Sequence, residues 1–280
     1  MGKLVVFMMI GLWVLSFPTL AARNVSLDYP LMSQKVDVFG VKLWATKNVK
    51  PSKLLHAANV MAQYLDNDAD GKVDNISVVA SMVDGQASMV LFADEKEQDL
   101  FFEAISGSRL ERSLDDGSVM LQNLFAFEIH PNSLVQPFDA TLEEVLHLIT
   151  HAGYANALPQ VFGEMGSTNL TRAMDKARGG HFKDIPAAYP SRAWYSYDDK
   201  TCDYSCMSTE YFYWSLTSLL GAQKARFDDI GHEWRLNTAA KMRKDLLMYA
   251  LLKDPQWHLP NTLPNGRYRI NKLTIAPVVR

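Results

Sequence analysis

The run Asp66-Asn67-Asp68-Ala69-Asp70-Gly71-Lys72-Val73-Asp74 places four carboxylates, two or four residues apart, around a single glycine. A calcium ion takes about six to eight oxygen ligands, and alternate residues of a tight loop can aim their carboxylates at one centre. Asp66, Asp68 and Asp70 have that spacing, with the Lys72 carbonyl and Asp74, directly or through water, completing the set. Gly71 permits the sharp turn. Without a cation the like charges repel one another at short range. The competing reading is a solvated acidic turn that binds nothing tightly.

A second group of chemically capable residues falls on one expected helix. Thr141-Leu142-Glu143-Glu144 reads as a capping box, with Thr141 as N-cap and Glu144 reaching back, and the helix is expected to run to about His151 and stop near Gly153. His147 and His151, four residues apart, share one face at a spacing that can chelate a single transition metal. At about 100° per residue with His147 at zero, Glu143 falls at about −40°, His151 at about +40° and Glu144 at about +60°. Glu210, in Ser208-Thr209-Glu210-Tyr211-Phe212-Tyr213-Trp214, is the candidate third ligand; as an acid opening an apolar helix it equally suits the helix dipole.

Zinc held by His147, His151 and Glu210 would lower the pKa of a bound water, Glu144 or Glu143 would take the proton, and the carbonyl of a peptide or ester substrate would be polarised. That reading is a metal-dependent hydrolase acting on a peptide or small molecule. The alternative makes the two histidines a satisfied pair in the core, beneath Tyr154 or the aromatic helix. The chain is then a non-catalytic, extracellular calcium-binding glycoprotein. A third reading keeps zinc for stability alone.

The acidic run resembles the first nine positions of an EF-hand loop and shares its D-x-D-x-D-G-x-x-D core with thrombospondin type 3 and dockerin calcium loops. It departs at the twelfth EF-hand position, where Ser77 stands in place of a bidentate Glu, so the resemblance implies a structural site, with Asp84 or a more distant carboxylate contributing. The His147 helix resembles that of the zincin metallopeptidases, whose H-E-x-x-H also sets two zinc-ligating histidines four apart. Leu148 follows His147 where a zincin has its catalytic Glu, and Thr150 fails the reversed pattern. Glu144-x-x-His147 matches the ligand unit of di-iron carboxylate bundles, which need it twice; it occurs once here.

These groups need a scaffold. Lys3, the apolar run from Leu4 to Phe17 and the small residues Thr19-Leu20-Ala21-Ala22 read as a secretory signal peptide over 1–21, which leaves a single secreted domain over 22–280. No later run is long enough for a membrane anchor. The net charge of −3 and the absence of a basic cluster argue against nucleic acid as a partner. Cys202 and Cys206 read as one local disulfide, or as a thiolate pair for a metal. Asn24, Asn75 and Asn169 open glycosylation sequons.

Pro51 can open a helix that runs to the acidic loop, and Ile76 to Val83 can follow it, a helix-loop-helix over 51–84. A strand over 88–92, a helix over 95–105, a connection over 110–117 and a strand over 119–129 come next. Helices are expected over 167–178, 208–220 and 236–252, with irregular backbone over 182–200. The fold class is α+β, mainly helical with a small sheet. His181, the segment 194–199 and His232-Glu233 are weaker candidates. No G-x-S-x-G elbow or phosphate-cradling glycine loop is present.

Overall fold

The chain reverses at Phe39-Gly40, both at positive φ (52° and 96°), as a two-residue hairpin turn between right-twisted strands requires. This turn joins β1 (Met32–Val38) to β2 (Val41–Thr46) as an antiparallel pair with Val38 opposite Val41. A Cβ at Gly40 would stand 2.9 Å from Val83, so the glycine also supplies space. The computed structural model describes Leu27 and residues 29–279. The expected leader at 1–21 and the Asn24 sequon lie outside the described residues.

β2 runs parallel to β3 (Ser88–Phe92) and β3 parallel to β4 (Leu121–Phe125), while the short β5 (Ala276–Pro277) pairs with β1, for a sheet order β4-β3-β2-β1-β5. Parallel neighbours require long crossovers. The first contains α1 (Pro51–Leu65), the acidic loop and α2 (Ile76–Asp84); the second contains α3 (Glu95–Ile105) and α4 (Arg109–Asp115). β3 is buried throughout, as a strand covered on both faces must be. Met89 and Leu91 enter the main core with α1 and α2, whereas Val90 and Phe92 enter a second core with Phe101, Ile105 and Leu110.

The remaining helices extend the main core. α5 (Thr141–Leu148) continues through a π-helical segment, Ile149–Tyr154, into α6 (Ala155–Ala157). Then come α7 (Pro159–Phe162), α8 (Asn169–Arg178), α9 (Tyr204–Leu220), α10 (Phe227–Ile230), α11 (Ala239–Met242) and α12 (Leu246–Lys253). Residues on every side of α9 are buried, including Met207, Ser208, Tyr211, Trp214, Ser215 and Ser218, so it is the central helix of this half. Helices and a five-stranded sheet thus form one compact, mixed α/β domain. Among the described residues no helix is long and apolar enough to cross a membrane.

Several expectations need correction. Thr141 is not an N-cap: Ala140 is, without a side-chain cap, and the Thr141 N–H donates to Asp139 Oδ1 at 3.3 Å. Gly153 does not end the helix; a Cβ there would stand 2.7 Å from Val78, so the glycine lets α2 approach closely. The expected connection at 110–117 is mostly α4, capped by Ser108, whose hydroxyl accepts the Glu111 N–H at 3.1 Å. The expected helix over 236–252 is two helices, because Asp245 caps α12 by accepting the Met248 N–H at 3.1 Å. α9 begins at Tyr204, behind an Asp203 cap, rather than at Ser208. Cys202 and Cys206 flank that cap at disulfide-bonding distance, Cα to Cα 5.3 Å. Asn75 spends both side-chain atoms, accepting from Val78 N at 3.2 Å and donating to the Trp257 carbonyl at 3.0 Å, which leaves its amide nitrogen engaged inside the fold.

Candidate metal centres

The acidic loop is shaped by its own carboxylates. Asp66, 1% exposed, accepts the Asp70 N–H at 3.0 Å and the Gly71 N–H at 2.9 Å, and also the Tyr268 hydroxyl. Asp74 accepts the Asn67 N–H at 2.8 Å, which closes the loop. Ala69 and Gly71 take positive φ (58° and 92°) to let the chain turn. One oxygen each from Asp66, Asp68 and Asp74 lies within 4.8 Å of the others. Burial pushes the Asp74 carboxyl up; the Asn67 N–H opposes this and the charges of Asp68, Asp66 and Asp70 add to it. One Asp70 oxygen accepts the Lys72 N–H at 2.8 Å and the other lies 3.6 Å from the Lys72 ammonium.

The second centre is assembled from distant parts of the chain. One turn of α5 presents Glu143 and His147 four residues apart, and α9 brings Glu210 against them. One ligand atom from each of these three lies within 4.8 Å of the other two. His147 Nε2 and Glu210 Oε2 are 3.6 Å apart. Both atoms are buried and, among the described residues, neither has a hydrogen-bond partner. The two face each other at ion-pair distance, slightly long for a direct hydrogen bond, and neither has another partner. Two ligands about 2.0–2.1 Å from a tetrahedral zinc stand about 3.4 Å apart, so the separation fits a shared metal ion. Glu210 sits in the second turn of α9, behind six earlier helical residues, so the dipole does not account for it.

The charge balance is unusual for so buried a place. Burial pushes Glu143 up to about 8, with the Glu210 charge adding to it and the His147 charge and a Tyr213 hydrogen bond opposing. Burial alone would lower His147, yet the carboxylates of Glu210 and Glu144 outweigh it and hold the imidazole well above its usual value. Glu144 Oε2 lies 3.7 Å from His147 Nδ1 and accepts Gln122 Nε2 at 2.5 Å. The Tyr213 ring meets the His147 ring edge-on at 5.5 Å. Its hydroxyl accepts Gln223 at 3.1 Å and Arg226 at 3.4 Å, which leaves its own proton for Glu143.

His151 stands apart from this trio. It lies in the π-helical segment, a distortion often found at functional sites. Its Nδ1 lies 2.5 Å from Glu164 Oε2, and Glu164, only 6% exposed, also accepts Ser205 at 2.8 Å and Thr209 at 2.7 Å. The hydrogen bond to Glu164 is the main reason the His151 imidazole is raised, with burial opposing it.

The loop that carries Glu164 has no spacing signal in the sequence. The three residues brought together start one turn before His147, at Glu143, rather than running forward to His151. Glu143-Glu144-Val145-Leu146-His147 has the H-E-x-x-H frame with glutamate at the first ligand position, a signal that was there to be read. Of the weaker candidates, His181 bonds Asp175 at 2.8 Å. His232, Glu233 and Asp198 cluster near the surface, where burial and Asp198 push Glu233 up to about 7. No known protein family matches the chain, and neither the curated proteins nor the solved structures include a significant match.

Proposed function

We propose that the protein is an exported, metal-dependent hydrolase of peptide or ester bonds that also carries a structural calcium site at Asp66–Asp74. The observation that carries this reading is the pair of buried, unpartnered ligand atoms, His147 Nε2 and Glu210 Oε2, 3.6 Å apart. Glu143, His147 and Glu210 would hold the ion. An imidazole with two carboxylates suits zinc, and also iron or manganese. The two carboxylate charges would neutralise a divalent cation, which meets the main cost of burying them.

Such an ion, when bound, acidifies a water and polarises a substrate carbonyl. Glu144 follows the first ligand and is steadied by Gln122, so it is placed to take the proton of that water. Tyr213, backed by Gln223 and Arg226, fixes the Glu143 carboxylate from behind. In the calcium loop the backbone N–H groups orient the Asp66, Asp68 and Asp74 carboxylates, and the loop ties α1 to α2.

Glu144→Gln tests the catalytic assignment. The variant is expected to keep its bound metal and to lose about 10²–10⁴-fold in hydrolysis of a casein or peptide substrate, the usual contribution of a general base. Undiminished hydrolysis would remove Glu144 from the mechanism. One observation favours a second reading: His147 lies between Glu144 at 3.7 Å and Glu210 at 3.6 Å, as an imidazolium between two carboxylates would. That arrangement belongs to a non-catalytic calcium-binding protein, which would purify without a transition metal.

A further inference from the structure

α8 ends where Gly179 takes positive φ (80°), and the Gly180 N–H returns to the Asp175 carbonyl at 2.9 Å. This turn folds His181 back onto the helix it follows. Its Nδ1 lies 2.8 Å from Asp175 Oδ2, while the other Asp175 oxygen accepts the Tyr204 hydroxyl from α9 at 2.9 Å. The His181 and Tyr204 rings pack with their centroids 4.9 Å apart. An ionised carboxylate only accepts, so Nδ1 carries the proton and the neutral ring keeps a lone pair on Nε2.

A cavity of about 730 Å³ lies against this network, within the range of about 300–1,000 Å³ usual for small-ligand sites. Its lining combines the His181 and Tyr204 rings and the exposed Met165 side chain with two cations, Arg172 and Lys183. Among the described residues neither cation has an acidic partner at ion-pair distance, and Arg172 donates to the neutral Asn169 side chain at 2.7 Å. The two acids of the lining are already engaged. Asp175 uses both oxygens, and Asp203 caps α9 by accepting the Cys206 N–H at 2.9 Å. Arg178 adds a third positive charge: it is fully buried, its partners are the Phe182 carbonyl, the Tyr189 hydroxyl and the Met207 sulfur, and its Nε has none among the described residues. That charge acts on Tyr204 at the cavity. A buried charge without a counter-charge is costly, and an anion bound nearby offsets it.

We propose that this cavity binds the C-terminal end of a peptide. The terminal carboxylate is taken by Arg172 and Lys183, the last amide N–H by His181 Nε2, and the last side chain packs on Tyr204 and Met165. Three cations against two engaged acids suit a ligand with one negative charge. A guanidinium grips a carboxylate through two parallel hydrogen bonds, which fixes its plane. The lone pair on His181 Nε2 repels a second anion and calls for a donor, and in a peptide the N–H beside the terminal carboxylate supplies one. No residue of the metal centre lines the cavity, so the site stands apart from the hydrolase reading.

Calorimetric titration with N-acetylphenylalanine tests the site, and saturable binding at millimolar concentration is expected. N-acetylphenylalaninamide lacks the carboxylate and is expected to bind about tenfold more weakly or worse, as is N-acetylphenylalanine to the double variant Arg172→Gln/Lys183→Gln. Both replaced side chains are exposed, so the variant keeps the fold. 3-Phenylpropanoate keeps the carboxylate but lacks the N–H, and a loss of about fivefold is expected for it. Equal binding of the amide would overturn the proposal in favour of a cavity that reads only apolar bulk. Equal binding of 3-phenylpropanoate would overturn the peptide end in favour of a plain carboxylate. No saturable binding, or undiminished binding by the double variant, would overturn the site outright.

Discussion

The acidic loop and the His147 centre both gather carboxylates, but they solve the charge problem in opposite ways. In the loop, Asp66, Asp68, Asp70 and Asp74 each accept a backbone N–H within nine consecutive residues, so the turn is largely held by its own hydrogen bonds. In the buried centre the side chains come from α5 and α9, and His147 Nε2 and Glu210 Oε2 have only each other, 3.6 Å apart. A self-bonded loop can load and release a hard cation at little structural cost. A buried group of unpaired donors is stable only when something neutralises it, either an ion or a shared proton.

Breaking the loop should show that it is the structural half of this contrast. Asp66→Ala removes the acceptor for the Gly71 N–H and the Tyr268 hydroxyl. Leaving buried donors unmet costs about 1–3 kcal/mol each, so a loss of about 3 kcal/mol is expected, read as a lower denaturation midpoint in urea. Calcium-dependent stabilisation should vanish, while the transition metal and hydrolysis remain. Loss of the transition metal from the same variant would show that the two sites are not separable.

Proton linkage sharpens the comparison with a smaller effect. Glu143 is raised from 4.5 to about 8, so its neutral form is favoured in the fold, and the stability this gives is present below the unfolded value and lost as pH rises through about 8. An ion needs the ionised Glu143 carboxylate and the neutral His147 imidazole, and the fold favours the protonated form of both, so binding must release protons from both groups. Metal affinity is expected to rise by more than tenfold per pH unit below about 8, because Glu143 and His147 both give up a proton. Calorimetry in buffers of different ionisation heat measures the protons directly. Proton release near pH 7 that is unchanged in Glu143→Gln would place Glu143 outside the ligand set.

The same contrast explains what could be read from the chain. The loop was legible because its donors are contiguous. So were elements whose signals are local: Pro51 opening α1, the short apolar run of β3, and α3 behind Asp94. The β1–β2 hairpin was not, because Gln34 and Lys35 interrupt its apolar pattern and the turn depends on Phe39 adopting positive φ. The break before α12 was hidden because Asp245 is held by Tyr211 and by Trp194 at 2.8 Å, both far away in sequence. The Glu143-Glu144-x-x-His147 frame is local and brings Glu143 to the group, but nothing local shows that His151 is held away from it. That depends on Glu164, which holds His151 from a loop thirteen residues on.

Metal content of the wild type and of His147→Ala, purified without chelators or a histidine tag and measured by inductively coupled plasma mass spectrometry, tests the central claim most directly. The account predicts one transition metal beside calcium in the wild type, and loss of the transition metal with calcium retained in the variant. A wild type that carries calcium alone, or a variant that keeps its transition metal, would contradict it.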